Sequence, residues 1–359
     1  MKTNLVKKNQ KTYKLASLVV ITTQLVTSCA PKLPTESISS LSSPQVTASA
    51  KELVRITDDV VAEFQPCLSQ DGKQLLYVIR DDAQSLNEKW SIRLKKEVLM
   101  PGFTPLIGKR TSAPSWINNQ GDFIFTYYAT NPVIATSNIS RLGITYVGQN
   151  AYGDYDNNAQ VSPDGKKVVL TTSLQGGRSI CLVNRDGTSF TALSDGIEPK
   201  WHPDGKKILY NKLSGNYFQL FELNLETYQS TQITSGESNS YGGNYSPDGK
   251  HIVFVSSKDD KFGHLFIMRT NGQKLTQLTS GDSNEVQPFW GTDGSIYFAS
   301  TAGAKRPENK KKTNAFTGLG SSLYFNSVNL LRNNSLEREM LSTSFLYSDI
   351  WKVKPLLVD

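Results

Sequence analysis

The sequence predicts an all-β fold, a six-bladed β-propeller of four-stranded antiparallel blades closed by N- and C-terminal strands in one blade. Three observations predict it. A phrase made of a proline, an aromatic, a tight turn and an alternating apolar run recurs six times. The chain between copies supplies further short strands, and the two chain ends hold complementary parts of one incomplete copy. Repeats of this length with four strands each cannot bury their faces singly, and arranging them in a ring buries every face against a neighbour. An open β-solenoid is the competing arrangement; its repeats are usually shorter and need no fourth strand.

In chain order, the 359 residues begin with "MKTNLVKKNQKTYK", basic and without an acidic residue, followed by the mostly apolar "LASLVVITTQLVTSC". This is the layout of an export signal, and its apolar part is too short and hydroxyl-rich for a comfortable membrane span. Residues Val26, Thr27, Ser28 and Cys29 resemble the lipobox of bacterial lipoproteins. The resemblance implies a signal peptide over 1–28, cleavage before Cys29 and lipidation of its thiol; an ordinary cleaved signal with an incidental cysteine, or an uncleaved anchor, is the alternative. Thr27 is a looser fit than the commoner small residues there. From 29 to 50 the Ser, Thr, Pro and Ala composition lacks the apolar surface needed to order itself, so it is read as a flexible tether.

The six copies run from Phe64, Ser112, Asn157, Ile197, Tyr241 and Val286, and their turn glycines, Gly72, Gly121, Gly165, Gly205, Gly249 and Gly294, lie 40 to 49 residues apart. Pairs such as Asp71 with Gly72, Asp164 with Gly165, Asp204 with Gly205, Asp248 with Gly249 and Asp293 with Gly294 read as hairpin turns tolerant of positive φ. Prolines such as Pro199 and Pro288 read as marking the start of a strand, where no ladder hydrogen bond is donated. After each turn, runs apolar on both faces, such as Ile252 to Val255, read as strands buried between sheets. "SICLVNRDG", "FQLFELNLE" and "HLFIMRTNG" give third strands, and "FTALSDG", "STQITSG" and "LTQLTSG" fourth strands. "KELVRITDD" (51–59) reads as a fourth strand lacking its first three, and "SDIWKVK" (348–354) as a third lacking its fourth; joined, they close the ring and remove a free edge.

The "SPDGK" phrase, the "QLTSG" strand and the closing "DIWKV" are similar to the repeats of TolB-like propellers, which also occur in the tricorn protease and in prolyl-oligopeptidase-type peptidases. The likeness covers about 51–301 and the final segment, so the propeller domain is assigned to 51–359. It departs from the pattern in the second copy, where "NNQGD" replaces the Asp-Gly turn, and at 302–345, an insertion in the last blade. The resemblance implies partners in a bacterial envelope. The tether replaces the N-terminal domain of TolB itself, so particular partners are not carried over.

Composition excludes some functions. The net charge is +7, from 39 Lys and Arg against 32 Asp and Glu. Much of the excess lies in the leader and in "AKRPENKKKTN" (304–314), so the charge does not argue for nucleic acid, and none is assigned. Once Cys29 carries lipid, Cys67 and Cys181 remain, in equivalent-looking apolar strands, and are read as small buried hydrophobes. The turn aspartates form no carboxylate array, because turn formation explains each locally. His202, His251 and His264 have no metal-site spacing. The G-x-S-x-G elbow is missing, "GDSNE" (281–285) is a loop between blades, and no α/β region of sufficient length follows the propeller.

Glu63, Asp156, Glu198, Tyr241 and Glu285, with Asp154 and Asn239, stand just before the proline-aromatic phrase in their copies. They are the candidate binding residues of an acidic channel mouth suited to a cation, a sugar or a peptide end; ordinary solvated loop residues are the alternative. The expectation is a monomeric, non-enzymatic interaction module, lipid-anchored to an envelope membrane, the outer one in a Gram-negative host, with an envelope protein partner and no cofactor. A structural or channel cation is left open. Glycan or small-ligand binding at the mouth, with Tyr152, Tyr155, Tyr241 and Trp290 stacking on sugars, is the second reading, and a propeller-based lyase or hydrolase the third.

Overall fold

The computed structural model describes residues 42–357 apart from 60, 82–89, 130, 149–151, 154, 175, 260–261 and 305–347. The expected leader, Cys29, the tether before Ser42, Asp154 and nearly all of the expected insertion lie outside the described residues. Every described element is a strand. β1 (Gln45–Val46) and β2 (Ala50–Arg55) come first. Blade 1 is β3 (Ala62–Leu68), β4 (Leu75–Arg80), β5 (Trp90–Lys95) and β6 (Thr104–Lys109). Blade 2 is β7 (Thr111–Trp116), β8 (Asp122–Tyr128), β9 (Pro132–Asn138) and β10 (Arg141–Tyr146). Blade 3 is β11 (Asn157–Val161), β12 (Lys167–Leu174), β13 (Gly177–Asn184) and β14 (Thr191–Asp195). Blade 4 is β15 (Ile197–Trp201), β16 (Lys207–Ser214), β17 (Tyr217–Asn224) and β18 (Ser230–Gln232). Blade 5 is β19 (Ser240–Tyr245), β20 (His251–Ser256), β21 (His264–Arg269) and β22 (Thr276–Gln277), followed by the short β23 (Thr279–Ser280). Blade 6 is β24 (Glu285–Trp290), β25 (Ile296–Ser300) and β26 (Asp349–Pro355), completed on its outside by β2.

All six sheets are four-stranded and antiparallel, and the innermost strands touch in succession from β3 through β7, β11, β15 and β19 to β24, which returns to β3. The ring is therefore closed, by β2 pairing with β26 (Arg55 opposite Trp351), as the chain ends suggested. Each apolar core lies between blades rather than within one. Leu76 and Val78 of blade 1 pack with Trp116 and Phe123 of blade 2 and with Tyr297 and Ile350 of blade 6, all buried. Fully burying one such side chain stabilises by roughly 1.5–3 kcal/mol, which a lone sheet could not gain on both faces.

The turns work differently from the sequence expectation in one respect. Only the glycine takes positive φ, +74° at Gly72 and +75° at Gly165, and the aspartate acts through its side chain. Ser69 Oγ donates to Asp71 Oδ1 at 2.6 Å, the Lys73 amide donates to the same oxygen, and the Gln74 amide donates to Ser69 Oγ. Copies three and five repeat this with Ser162–Asp164 and Ser246–Asp248. The serine hydroxyl holds Asp71, Asp164 and Asp248 below the ordinary carboxylate value. In blade 4 the imidazole of His202 stands in for the serine, placing Nδ1 at 2.8 Å from Asp204 and Nε2 at 3.1 Å from the Gly249 carbonyl of the next blade.

The prolines also sit elsewhere than expected. Pro66, Pro114, Pro199 and Pro288 lie inside the innermost strands, within a β-bulge that shifts the register in every blade. A bulge leaves a backbone position outside the ladder, so proline's missing N–H costs nothing there. The aromatic that follows pins the strand to the preceding blade: Trp116 Nε1 donates to the Cys67 carbonyl at 2.9 Å, and Trp201 Nε1 to the Gln160 carbonyl at 3.1 Å.

The tether expected to run to residue 50 ends sooner. β1 pairs antiparallel with β23 (Gln45 opposite Ser280), the Thr47 amide donates to the Leu278 carbonyl, and the Thr47 hydroxyl donates to Gln277. Cys67 and Cys181 are free and buried, and their strands are not equivalent, one being innermost in blade 1 and the other third in blade 3. Burial pushes the two thiols up, to about 11 and about 12.

Candidate functional site

The register of the innermost strands resolves the expected mouth residues into three different positions. Glu63, Thr111, Asp156, Gly196, Ser240 and Glu285 precede the bulge by two residues in their blades, Tyr241 precedes it by one, and Glu198 is the bulge residue itself. In four blades the amide at the first of these positions donates to the preceding blade, Glu63 to Ser348, Asp156 to Pro132, Gly196 to Arg178 and Glu285 to Gly263. These positions join blade to blade before their side chains do anything.

The three carboxylates at this position are buried, 0% exposed at Glu63 and Glu285 and 1% at Asp156, so they do not form a solvated acidic rim. Glu285 is saturated: Oε2 pairs with His264 Nδ1 at 2.9 Å, and Oε1 accepts from Ser283 Oγ at 2.6 Å and Ser300 Oγ at 2.9 Å. The hydroxyls serve the carboxylate rather than the imidazole, and His264 is itself buried, so this is an internal clamp and not a serine relay. Asp156 accepts from Thr172 Oγ1 at 2.5 Å and from the Tyr152 amide at 2.7 Å; burial nevertheless raises it to about 6. Among the described residues neither Glu63 oxygen forms a full hydrogen bond. Burial raises this carboxyl to about 8, with the Thr57 hydroxyl and Arg93 opposing and the charges of Asp349 and Asp59 adding to the rise. Gly196 holds the same position in blade 4, where a Cβ would lie 2.5 Å from the Tyr210 ring.

Two residues further along the strand lie the bulge residues. The bulge residues Gln65, Asn158, Glu198 and Gln287 all have positive φ, between +52° and +55°. Their amides are linked around the ring: Gln65 N donates to Gln287 Oε1 at 3.0 Å, and Ala113 N to Gln65 Oε1 at 2.8 Å. Glu198 N donates to Thr171 Oγ1, and its carboxylate accepts from Asn211 Nδ2 at 2.8 Å. Two residues further down, Lys200 has no hydrogen-bond or ion-pair partner among the described residues. Its charge is felt by the Glu198 carboxylate and, more weakly, by the Cys67 thiol of blade 1. Enclosure raises Glu198 and lowers Lys200, and each opposes the other's shift.

Lys200 has no signal in the sequence, since the bulge beside it, between Ile197 and Lys200, is marked locally only by Pro199. The aromatics expected to stack on sugars are mostly unavailable. Tyr155, Tyr241 and Trp290 are buried at 3%, 9% and 5% exposure, and Tyr152 donates its hydroxyl to the Gly187 carbonyl and stacks on Phe190. Among the described residues no three His, Cys, Asp or Glu side chains are placed to hold a metal ion.

Residues 195–307 match the PD40 family, described as the TolB beta propeller domain. An uncharacterized protein of Agrobacterium fabrum is 27% identical over 124 residues, covering 33% of this chain and 42% of that one. Dipeptidyl-peptidase 5 of Porphyromonas endodontalis is 32% identical over 106 residues, covering 27% of this chain and 15% of the peptidase. The chain thus spans less than half the length of these curated relatives. The crystal structure of TolB from Acinetobacter baumannii superposes with a TM-score of 0.56 at 22% identity, over 64% of this chain and 57% of that one. The sheet order and the closed ring make this chain a six-bladed β-propeller, similar over 195–307 to the TolB beta propeller domain.

Proposed function

We propose that the protein is a non-enzymatic docking module of the bacterial cell envelope, tethered by lipid at Cys29 and receiving a segment of an envelope protein at the ring mouth. The observation that carries this reading is the pre-assembled ring: the bulge amides of blades 6, 1 and 2 are bonded to one another, and the Lys200 ammonium, two residues past the blade 4 bulge, has no ion-pair partner among the described residues. A site whose walls are already fixed loses little freedom on binding, which favours a docking role. A carboxylate from the incoming segment suits Lys200, because pairing recovers the cost of enclosing that charge. Catalysis has less support, since the buried acids Asp156 and Glu285 are committed to holding loops. Glycan binding is likewise weakened by the burial of the mouth aromatics.

The test is a crosslinking pull-down from intact native cells, with wild type, Lys200→Gln and Glu198→Gln as baits. The expected result is one envelope protein recovered reproducibly with wild type and reduced about tenfold with Lys200→Gln, the scale of one charge-assisted hydrogen bond. Recovery of only lipid and background, or equal recovery with all three baits, overturns the reading.

A further inference from the structure

A second surface, on the side of the ring, goes beyond this reading. β10, the outer strand of blade 2, is exposed at all six residues and presents Leu142 (53%), Ile144 (37%) and Tyr146 (54%) to solvent. An outer strand leaves a row of backbone donors and acceptors unpaired, and proteins ordinarily blunt such edges by shortness, charge, proline or cover. The other blades follow that habit. The outer strands of blades 4 and 5 have three and two residues, and blade 6 ends in β2 beside the β1–β23 pair. The large aliphatic side chains of β6 and β14 lack comparable exposure, Leu106 being buried and Ile107 and Leu193 half-buried, while Pro105 occupies the β6 edge. β10 is six residues long, carries three large exposed apolar side chains and, among the described residues, pairs with no strand on its outer edge.

Beside it is a cleft. The register of β10 shifts between Arg141 and Thr145, and the displaced backbone walls a hollow of about 360 Å³ between blade 2 and a turn of blade 3. Asp122, Asn138, Arg141, Ile144 and Arg185 are among its lining residues. The charges within it are unbalanced. Both oxygens of Asp122 are taken by amides, Oδ2 by Asn118 Nδ2 and Oδ1 by Asn138 Nδ2, each at 2.7 Å. Arg185 feels the Asp122 charge without forming an ion pair with it, and among the described residues neither the Arg185 nor the Arg141 guanidinium has a hydrogen-bond or ion-pair partner, the Arg185 backbone amide alone donating to the Lys166 carbonyl. Two guanidinium groups with free planar donors, one of them partly withdrawn from water, match a carboxylate.

We propose that the free edge of blade 2 is a docking strip for an extended acidic segment of a partner protein, whose backbone pairs with β10 and whose carboxylate enters the cleft between Arg141 and Arg185. Strand addition supplies affinity through main-chain hydrogen bonds, and the neighbouring pocket supplies the choice of side chain. The occupant is acidic because the cleft holds an excess of positive charge, and extended because six exposed residues in a row form a strand-length template.

The test uses the full chain and a fluorescein-labelled heptapeptide alternating valine with glutamate, read by anisotropy, with glutamine in place of glutamate as the control. The acidic peptide is expected to bind about tenfold more tightly than the control, and Arg185→Gln and Arg141→Gln each to weaken it several-fold without moving the melting temperature. Ile144→Pro, which removes one edge donor, is expected to weaken both peptides. Equal binding of the two peptides, or binding unchanged in both arginine variants, overturns the proposal. Displacement by inorganic phosphate with no effect of Ile144→Pro also overturns it, in favour of a small-anion cleft. A dimer of the chain that Ile144→Pro dissolves overturns it in favour of a second copy.

Discussion

Glu63 turns burial into a pH dependence. Its carboxyl is raised from 4.5 to about 8 in the folded ring, so between those values the folded state binds a proton that the unfolded chain releases. The sign follows from linkage: the contribution is fully present below pH 4.5, declines as pH rises, and is lost once the folded group ionises near pH 8. Spread over that window the loss is roughly 5 kcal/mol. Urea unfolding of wild type and Glu63→Gln at pH 5 and pH 8.5 is expected to show wild type losing several kcal/mol that the variant keeps; parallel losses would contradict the assignment. At this scale the sequence was informative about place and silent about depth. Glu63, Asp156 and Glu285 stood out because each precedes the same phrase, which correctly put them at equivalent points of the strand. That His264, Ser283 and Ser300 converge on Glu285 depends on neighbouring strands and loops, and no local pattern announces it.

Among the elements, the outer strands depend on a residue that the "QLTSG" phrase contains without explaining. The hydroxyl of its threonine accepts an amide of the third strand, Leu265 N to Thr279 Oγ1 at 2.8 Å, Leu220 N to Thr234 Oγ1 at 2.9 Å, and Ile350 N to Thr57 Oγ1 at 2.8 Å. The outer strand is leaving the sheet there, and the hydroxyl extends the ladder by one bond. Thr279→Val keeps the shape but strands a buried amide, so a loss of about 1–3 kcal/mol is expected in urea unfolding, against less than about 0.5 kcal/mol for the exposed Thr231→Val. Equal effects would deny the threonine this role. The hairpins were legible because Asp-Gly is a local signal. The bulges were not: Gln65, Glu198 and Gln287 take positive φ without being glycine, and their hydrogen bonds run to strands distant in sequence, Gln65 to Gln287 and Glu198 to Thr171 and Asn211.

For the whole molecule, the sequence carried the blade count and the closure, since repetition and complementary chain ends are global patterns that survive local ambiguity. The pairing of β1 with β23 was hidden by a composition that resembles the rest of the tether. The central functional claim is that a partner docks at the end of the ring where the innermost strands begin. Site-specific photo-crosslinking in intact cells tests it most directly, with probes replacing the exposed Glu237 and Asp282 in the loops leading into β19 and β24, and Glu226 and Asn271 in turns at the other end. The expected result is one envelope protein crosslinked from Glu237 and Asp282 and absent from Glu226 and Asn271. The same protein crosslinked only from Glu226 and Asn271, or no discrete adduct from either end, would contradict docking at the mouth.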